Sequence, residues 1–171
     1  LRVLPVIQKW DWGIWRTVGQ LAHEMAVDWL HVQYQTAAYA MHPAINLAPR
    51  RWGSQGLHVA WTYHDLLPPY LFPKAGQRLR RWITEQPGRN ARFTVVTNEG
   101  DRQRLAQRGI AAINIPIGSN VAGCRLTPAE KSAERAAYGY ADKDLVIAYF
   151  GFLNRSKGGL ALVRTLQRLV Q

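Results

Sequence analysis

Short apolar runs alternate along this chain with stretches in which apolar residues recur every three or four positions, the pattern of strands separated by amphipathic helices. Leu1 to Gln8 predicts a strand and Trp10-Asp11-Trp12-Gly13 an aromatic turn. Ile14, Val18, Leu21 and Met25 fall on one face of a helix over 14–27. Strands are predicted over 29–33, 57–63, 93–97 and 113–117. The third runs into Asn98-Glu99-Gly100-Asp101, whose polar and acidic residues suit the start of a helix through Arg108. Gly118-Ser119-Asn120 and Gly123 read as a loop that closes a first domain.

Beyond it, Thr127-Pro128-Ala129-Glu130 carries a capping Thr, Pro at the first helical position and Glu three residues after the cap, which predicts a helix to about Tyr138 stopped by Gly139. Asp144 to Phe150 predicts an apolar strand, 151–159 a Gly-containing turn, and 160–170 a helix burying Leu160, Val163, Leu166, Leu169 and Val170. Strands alternating with helices predict an α/β protein with a Rossmann-like, mainly parallel sheet, followed by the first βα unit of a second domain. No internal repeat or low-complexity tract interrupts the pattern.

Composition narrows the partners. With 47% hydrophobic and 19% charged residues in 171, the chain has the makings of one real core and is not of the disordered class. Seven Trp and seven Tyr either anchor that core or line a pocket for a ring-shaped ligand. A formal charge of +11 invites an anionic partner, with clusters at Arg50/Arg51, Arg78/Arg80/Arg81 and Arg102/Arg104/Arg108. Nucleic acid is disfavoured, because there is no helix-turn-helix, zinc or aromatic RNA-binding signature. Cys124 is the single cysteine, which excludes an internal disulfide and a cysteine-rich zinc site and fits a reducing cytoplasm. No apolar run approaches the roughly 20 residues that span a bilayer, and the first residues lack the zones of a signal peptide, so a cytoplasmic protein, at most peripheral at a membrane, is expected. The absence of Met at the start and the helical pattern at Leu166 to Gln171 give the expectation of truncation at both ends.

The most informative segment is Tyr149-Phe150-Gly151-Phe152-Leu153-Asn154-Arg155-Ser156-Lys157-Gly158-Gly159, an apolar strand meeting a Gly-rich turn and a helix start. Glycines allow close backbone approach, a helix start offers free N–H groups, and Lys157 adds a positive charge, all suited to phosphate. A Walker loop is excluded because Ser156, not Gly, precedes the Lys. The segment resembles the strand-turn-helix that opens the donor domain of family-4 retaining glycosyltransferases of the GT-B fold, written Gly-Arg-Leu, three variable residues, Lys-Gly. Gly151, Leu153, Lys157 and Gly158 match, and Phe152 stands at the Arg position. Upstream, His31-Val32-Gln33-Tyr34-Gln35-Thr36, Trp61-Thr62-Tyr63-His64-Asp65, Val96-Thr97-Asn98-Glu99 and Ile115-Pro116-Ile117-Gly118-Ser119-Asn120 resemble acceptor-domain segments of that family, in its order.

The resemblance implies transfer of a sugar, with retention, from a nucleotide-sugar donor to a carbohydrate or lipid-linked acceptor, without a cofactor or metal. It implies a partial acceptor-side domain over 1–123, a linker and helix over 124–143, and the start of the nucleotide-sugar domain over 144–171. Donor phosphate falls to Gly151, Lys157 and Gly158, the catalytic role to His64, and acceptor or sugar contacts to Tyr34, Gln35, His42, Asp65, Gly118 and Asn120. The paired glutamates of the family would lie past Gln171, so the chain alone is expected to be inactive.

Tyr39 and Met41 can equally pack beneath the loop that holds Tyr34, Gln35 and His42, and Asp65 can orient His64 or cap its own loop. The Pro-rich stretch Leu67 to Gly76 with Arg78, Arg80 and Arg81 suits a phosphorylated or lipid-linked acceptor at an anionic membrane surface, or simply a stiff surface loop. A basic nucleic-acid-binding module and a nucleotide-sugar-modifying Rossmann enzyme are the alternatives, the latter requiring a G-x-G-x-x-G that this chain does not carry. Replacing Lys157 with Ala in the intact protein should weaken nucleotide-sugar binding by about 1.5–3 kcal/mol, one charge-assisted hydrogen bond. An unchanged dissociation constant, measured calorimetrically, excludes that phosphate role.

Overall fold

The computed structural model describes residues 2–68, 74, 76–149, 151 and 158–169. They form an α/β protein that divides into two compact units, 1–119 and 120–171. The first contains a four-stranded parallel sheet of β1 (Trp29–Tyr34), β2 (His58–Tyr63), β3 (Phe93–Val96) and β4 (Ile113–Asn114), paired in that order. Helices α1 (Ile14–Glu24), α2 (Pro43–Gly53), α3 (Gly76–Asn90) and α4 (Glu99–Ala106) belong to it, and α5 (Pro128–Ala137) and α6 (Gly159–Leu169) to the second unit.

Each strand is laid beside the one before it, always in the same direction, and right-handed crossovers then put every connecting helix on one face. The core sits there. Val32, Tyr34, Val59, Trp61, Tyr63 and Val96 from the sheet pack in one cluster with Ile14 of α1, Ala44, Ile45, Ala48 and Trp52 of α2, and Leu105 of α4. The alternate strand residues point the other way. Among them Trp29 is 50%, Phe93 41% and Ile113 51% exposed.

The buried end of β2 also completes a helix. Pro87 lies inside α3, and the Gly88 N–H donates to the Tyr63 hydroxyl (3.0 Å), which donates to the Thr84 carbonyl (2.8 Å). That hydroxyl stands in the i to i+4 ladder where Gly88 would otherwise bond Thr84 directly. Residue 88 is Gly for a packing reason, since a Cβ there would meet Ile110 Cγ2 at 2.8 Å and the Tyr63 hydroxyl at 3.5 Å.

Several expectations are corrected. Residues 2–7 form no strand: Pro5 has no N–H for a ladder, and the Val6 N–H turns back onto the Leu4 carbonyl (2.9 Å). Helix α1 stops at Glu24 because Ala26 adopts φ 50°, and the Ala26 and Val27 N–H groups close on His23 and Ala22, a Schellman end. β4 is two residues long, since the Ile115 N–H makes a last bond to Val96 and Pro116 can donate none. In the second unit the capping box at Thr127 and Glu130 is present as expected. Residues 144–149 form no strand, with Leu145 75% exposed, because no other strand among the described residues of that unit offers a ladder partner. For the same reason α6 has no sheet to cover, and the expected buried residues Leu160, Val163, Leu166 and Leu169 are exposed. Phe150, Phe152 to Lys157, Val170 and Gln171 lie outside the described residues, as do Pro69 to Pro73 and Ala75 of the Pro-rich stretch.

Replacing Tyr63 with Phe strips the bridge from α3 and leaves the buried Thr84 carbonyl and the half-buried Gly88 N–H without it, which should cost about 1–3 kcal/mol in denaturant unfolding. Burial pushes the Tyr63 phenol above its ordinary 10.0. Its contribution is therefore complete below about pH 10 and falls as the unfolded chain ionises above it, a slope that the Phe variant should lack.

Candidate functional site

Ligands of parallel α/β sheets bind beyond the C-terminal ends of the strands, and the expected site residues of the first unit lie along that edge. β1 is followed by Gln35 and a 3-10 turn over Thr36–Tyr39, β2 by His64 and Asp65, β3 by the Asn98 cap of α4, and β4 by the loop to Gly118.

His64 donates its backbone N–H to the Tyr34 carbonyl (2.8 Å), which prolongs the β1–β2 ladder by one step. By strand alternation its side chain shares the face of Thr62, away from the helices. The exposed imidazole meets Gln33, Nε2 to Oε1 2.8 Å. Gln33 Nε2 lies 3.0 Å from His31 Nε2, and His31 Nε2 lies 2.8 Å from Thr62 Oγ1. His64, Gln33, His31 and Thr62 thus form one polar row on two neighbouring strands. Gln33, His31 and Thr62 are absent from the sequence-based set of site residues. The signal that finds them is parity: Val32 and Tyr34 are buried, so His31 and Gln33 must project from the other face.

Asp65 caps its own loop. Its Oδ1 accepts from the Leu67 N–H (3.2 Å) and lies 3.1 Å from the Thr36 hydroxyl, which also reaches the Leu67 carbonyl at 2.8 Å. Of the two roles expected for Asp65, its hydrogen bonds serve loop capping, and they tie together the loops after β1 and β2. Ala40 and Met41 continue from the 3-10 turn with φ of 49° and 57°, unusual for side-chain-bearing residues, so the loop beside the site is held in a strained form.

Two expected sugar contacts are occupied by structural duties. Tyr34 is 1% exposed, accepts from Asn46 Nδ2 (3.1 Å) and packs against Trp61, Tyr63 and Tyr39, so its ring is core and cannot stack on a ligand. Burial pushes its phenol above the ordinary range. His42 caps α2, its Nδ1 accepting from the Ala44 N–H (3.2 Å), and its ring lies 5.2 Å from that of Trp12. Tyr39 donates to the Gln33 carbonyl (2.8 Å) and Met41 is buried, as packing beneath the loop requires. Gln35 is exposed with its side chain unbonded among the described residues. Gly118 is exposed in open space, and Asn120 is exposed in the second unit. In that unit Gly151 has φ 125° and Gly158 φ 74°, while Lys157 lies outside the described residues.

Glu99, at the start of α4, is held by Arg102 at 2.6–3.0 Å, which drops its carboxyl to about 2 and removes it as a base near neutrality. Beside the strand ends, a groove of about 390 Å³ runs from Leu66 and Pro68 past Arg81, Glu85, Arg104 and Arg108. Glu85 there is shared by Arg89 (3.2 Å) and Arg108 (3.6 Å). A larger cleft of about 820 Å³, between Trp12, Trp15, Arg16, His23, Arg51 and Gln55, touches none of the expected site residues. Among the described residues no cluster of His, Cys, Asp or Glu could hold a metal ion, and no helix is long and apolar enough to cross a membrane.

No protein-family model matches the sequence, and comparison with curated proteins returns no match. His64→Ala should alter stability by no more than about 0.5 kcal/mol, as at an exposed position. His42→Ala should cost about 1 kcal/mol through the lost cap. Equilibrium unfolding of both variants checks this, and the reverse ranking would make His64 a structural residue.

Proposed function

We propose that this chain is part of a retaining glycosyltransferase of the GT-B type. In this reading the first unit receives a carbohydrate or lipid-linked acceptor, and the second begins the domain for the nucleotide-sugar donor. The observation that carries the reading is His64: an exposed imidazole at the C-terminal edge of a parallel sheet, bonded to Gln33 rather than absorbed by the core. Imidazole and amide groups match the donor and acceptor pattern of sugar hydroxyls.

Transfer breaks the bond from the anomeric carbon to the diphosphate oxygen and forms one to the acceptor oxygen, whose proton passes to the departing phosphate. The charge that develops on the diphosphate needs cations and free N–H groups rather than a nucleophile triad, and Lys157, within the Gly-rich stretch of the sequence, is such a cation. A membrane-borne acceptor is supported by α3, which exposes Leu79 (53%) and Trp82 (49%) beside Arg78 and Arg81, with Leu67 also exposed. Apolar side chains flanked by arginines suit the surface of an anionic bilayer.

The test is product formation by the intact protein from a panel of nucleotide sugars, with sugar and lipid-linked acceptors, comparing wild type with His64→Ala. The expected result is transfer with retained anomeric configuration and a turnover at least roughly tenfold lower in the variant, donor affinity being nearly unchanged. No transfer from any donor, together with DNA binding that weakens steeply with salt, would replace this reading with a basic nucleic-acid-binding module.

A further inference from the structure

Resting on the glycosyltransferase reading, we propose that Gln33 is a positioning residue for His64, fixing its imidazole as the Nε2–H tautomer so that Nδ1 presents a lone pair to a substrate hydroxyl. An amide has two unlike ends. Its oxygen only accepts and its nitrogen only donates. Gln33 Oε1 lies 2.8 Å from His64 Nε2, which must then carry the proton. In the neutral ring the remaining nitrogen, Nδ1, is an acceptor, and it has no partner among the described residues. It is the atom of His64 left for a ligand.

The other end of the amide meets the next members of the row. Gln33 Nε2 lies 3.0 Å from His31 Nε2 and needs a lone pair there, and Thr62 Oγ1 lies 2.8 Å from the same atom. Thr62 is buried, on the central strand β2, and Gln33 and Thr62 are register partners, so this end of the row is anchored in the sheet. If the amide turned over, His31 Nε2 would have to donate and His64 Nε2 to accept. The two imidazoles therefore exchange tautomers together through Gln33, and His64 is not set independently of His31. The substrate group selected is a hydroxyl donor, which suits a sugar.

The test uses long-range ¹⁵N–¹H spectra of the histidine rings in the chain at a pH where they are neutral, in wild type, Gln33→Leu and Gln33→Glu. The expected result is His64 held as Nε2–H in wild type, a mixture of tautomers in Gln33→Leu, and return of Nε2–H in Gln33→Glu, whose carboxylate still accepts. The same His64 tautomer in wild type and Gln33→Leu, or Nδ1–H in wild type, overturns the proposal. In the intact protein, Gln33→Leu should lower kcat about three- to tenfold, the loss of one neutral hydrogen bond, with KM for the donor within about twofold. Unchanged kcat overturns the positioning role. A wild-type protein without transfer activity but with the fixed tautomer removes the functional reading and leaves the coupling of the two rings standing.

Discussion

The Tyr63 hydroxyl joins the end of β2 to the turn of α3 that contains Pro87, and much of the first unit follows from that contact. Its ring packs at 5.8 Å from that of Tyr34 and 5.9 Å from that of Trp61, so the ends of β1 and β2 are held from the helix side by large, fully buried aromatics. A strand end clamped in this way leaves little freedom to the next residue, which is His64. Gln33 precedes Tyr34 on β1 as His64 follows Tyr63 on β2, and both turn to the opposite face. The meeting of imidazole and amide at 2.8 Å thus depends on rings packed behind the sheet.

The second constraint is the direction of winding. A sheet built one strand at a time, always to the same side, receives its helices on one face only. That explains a core made from one set of alternate strand residues and an opposite face on which Trp29, Phe93 and Ile113 remain exposed. It also separates the duties of the aromatic residues. Trp52, Trp61, Tyr34 and Tyr63 build the core, whereas Trp12, Trp29 and Trp82 are about half exposed.

Features legible in the sequence are those decided locally. The capping box at Thr127 and Glu130 and the Asn98 cap of α4 need only a few neighbouring residues, and β1, β2 and β3 announce themselves as apolar runs. A strand, however, needs a partner, which apolarity at 144–149 cannot supply, and Pro5 and Pro116 cut short two others that hydrophobicity favoured. Within the candidate site, the position of His64 directly after a strand was legible. Tyr34 was not legible as core, because the side of the sheet it faces depends on register. His42 has the same ambiguity at a helix start, where a side-chain acceptor serves a cap as readily as a ligand. The row from His64 to Thr62 joins residues about thirty positions apart and emerges only when β1 and β2 are paired.

A sugar bound at the C-terminal edge, as proposed, would lie against the polar row. The five histidines are built-in reporters: His64 and His31 belong to the row, His42 caps α2, and His23 and His58 lie near the opposite edge, at the end of α1 and the start of β2. Their ring ¹H–¹³C signals, followed during titration with simple glycosides and nucleotide sugars, report where a sugar binds. Binding at the row should give saturable shifts at His64 and His31 with His23 and His58 unmoved. Shifts confined to His23, in the cleft of Trp12 and Trp15, or no saturable shift at any histidine, would contradict it.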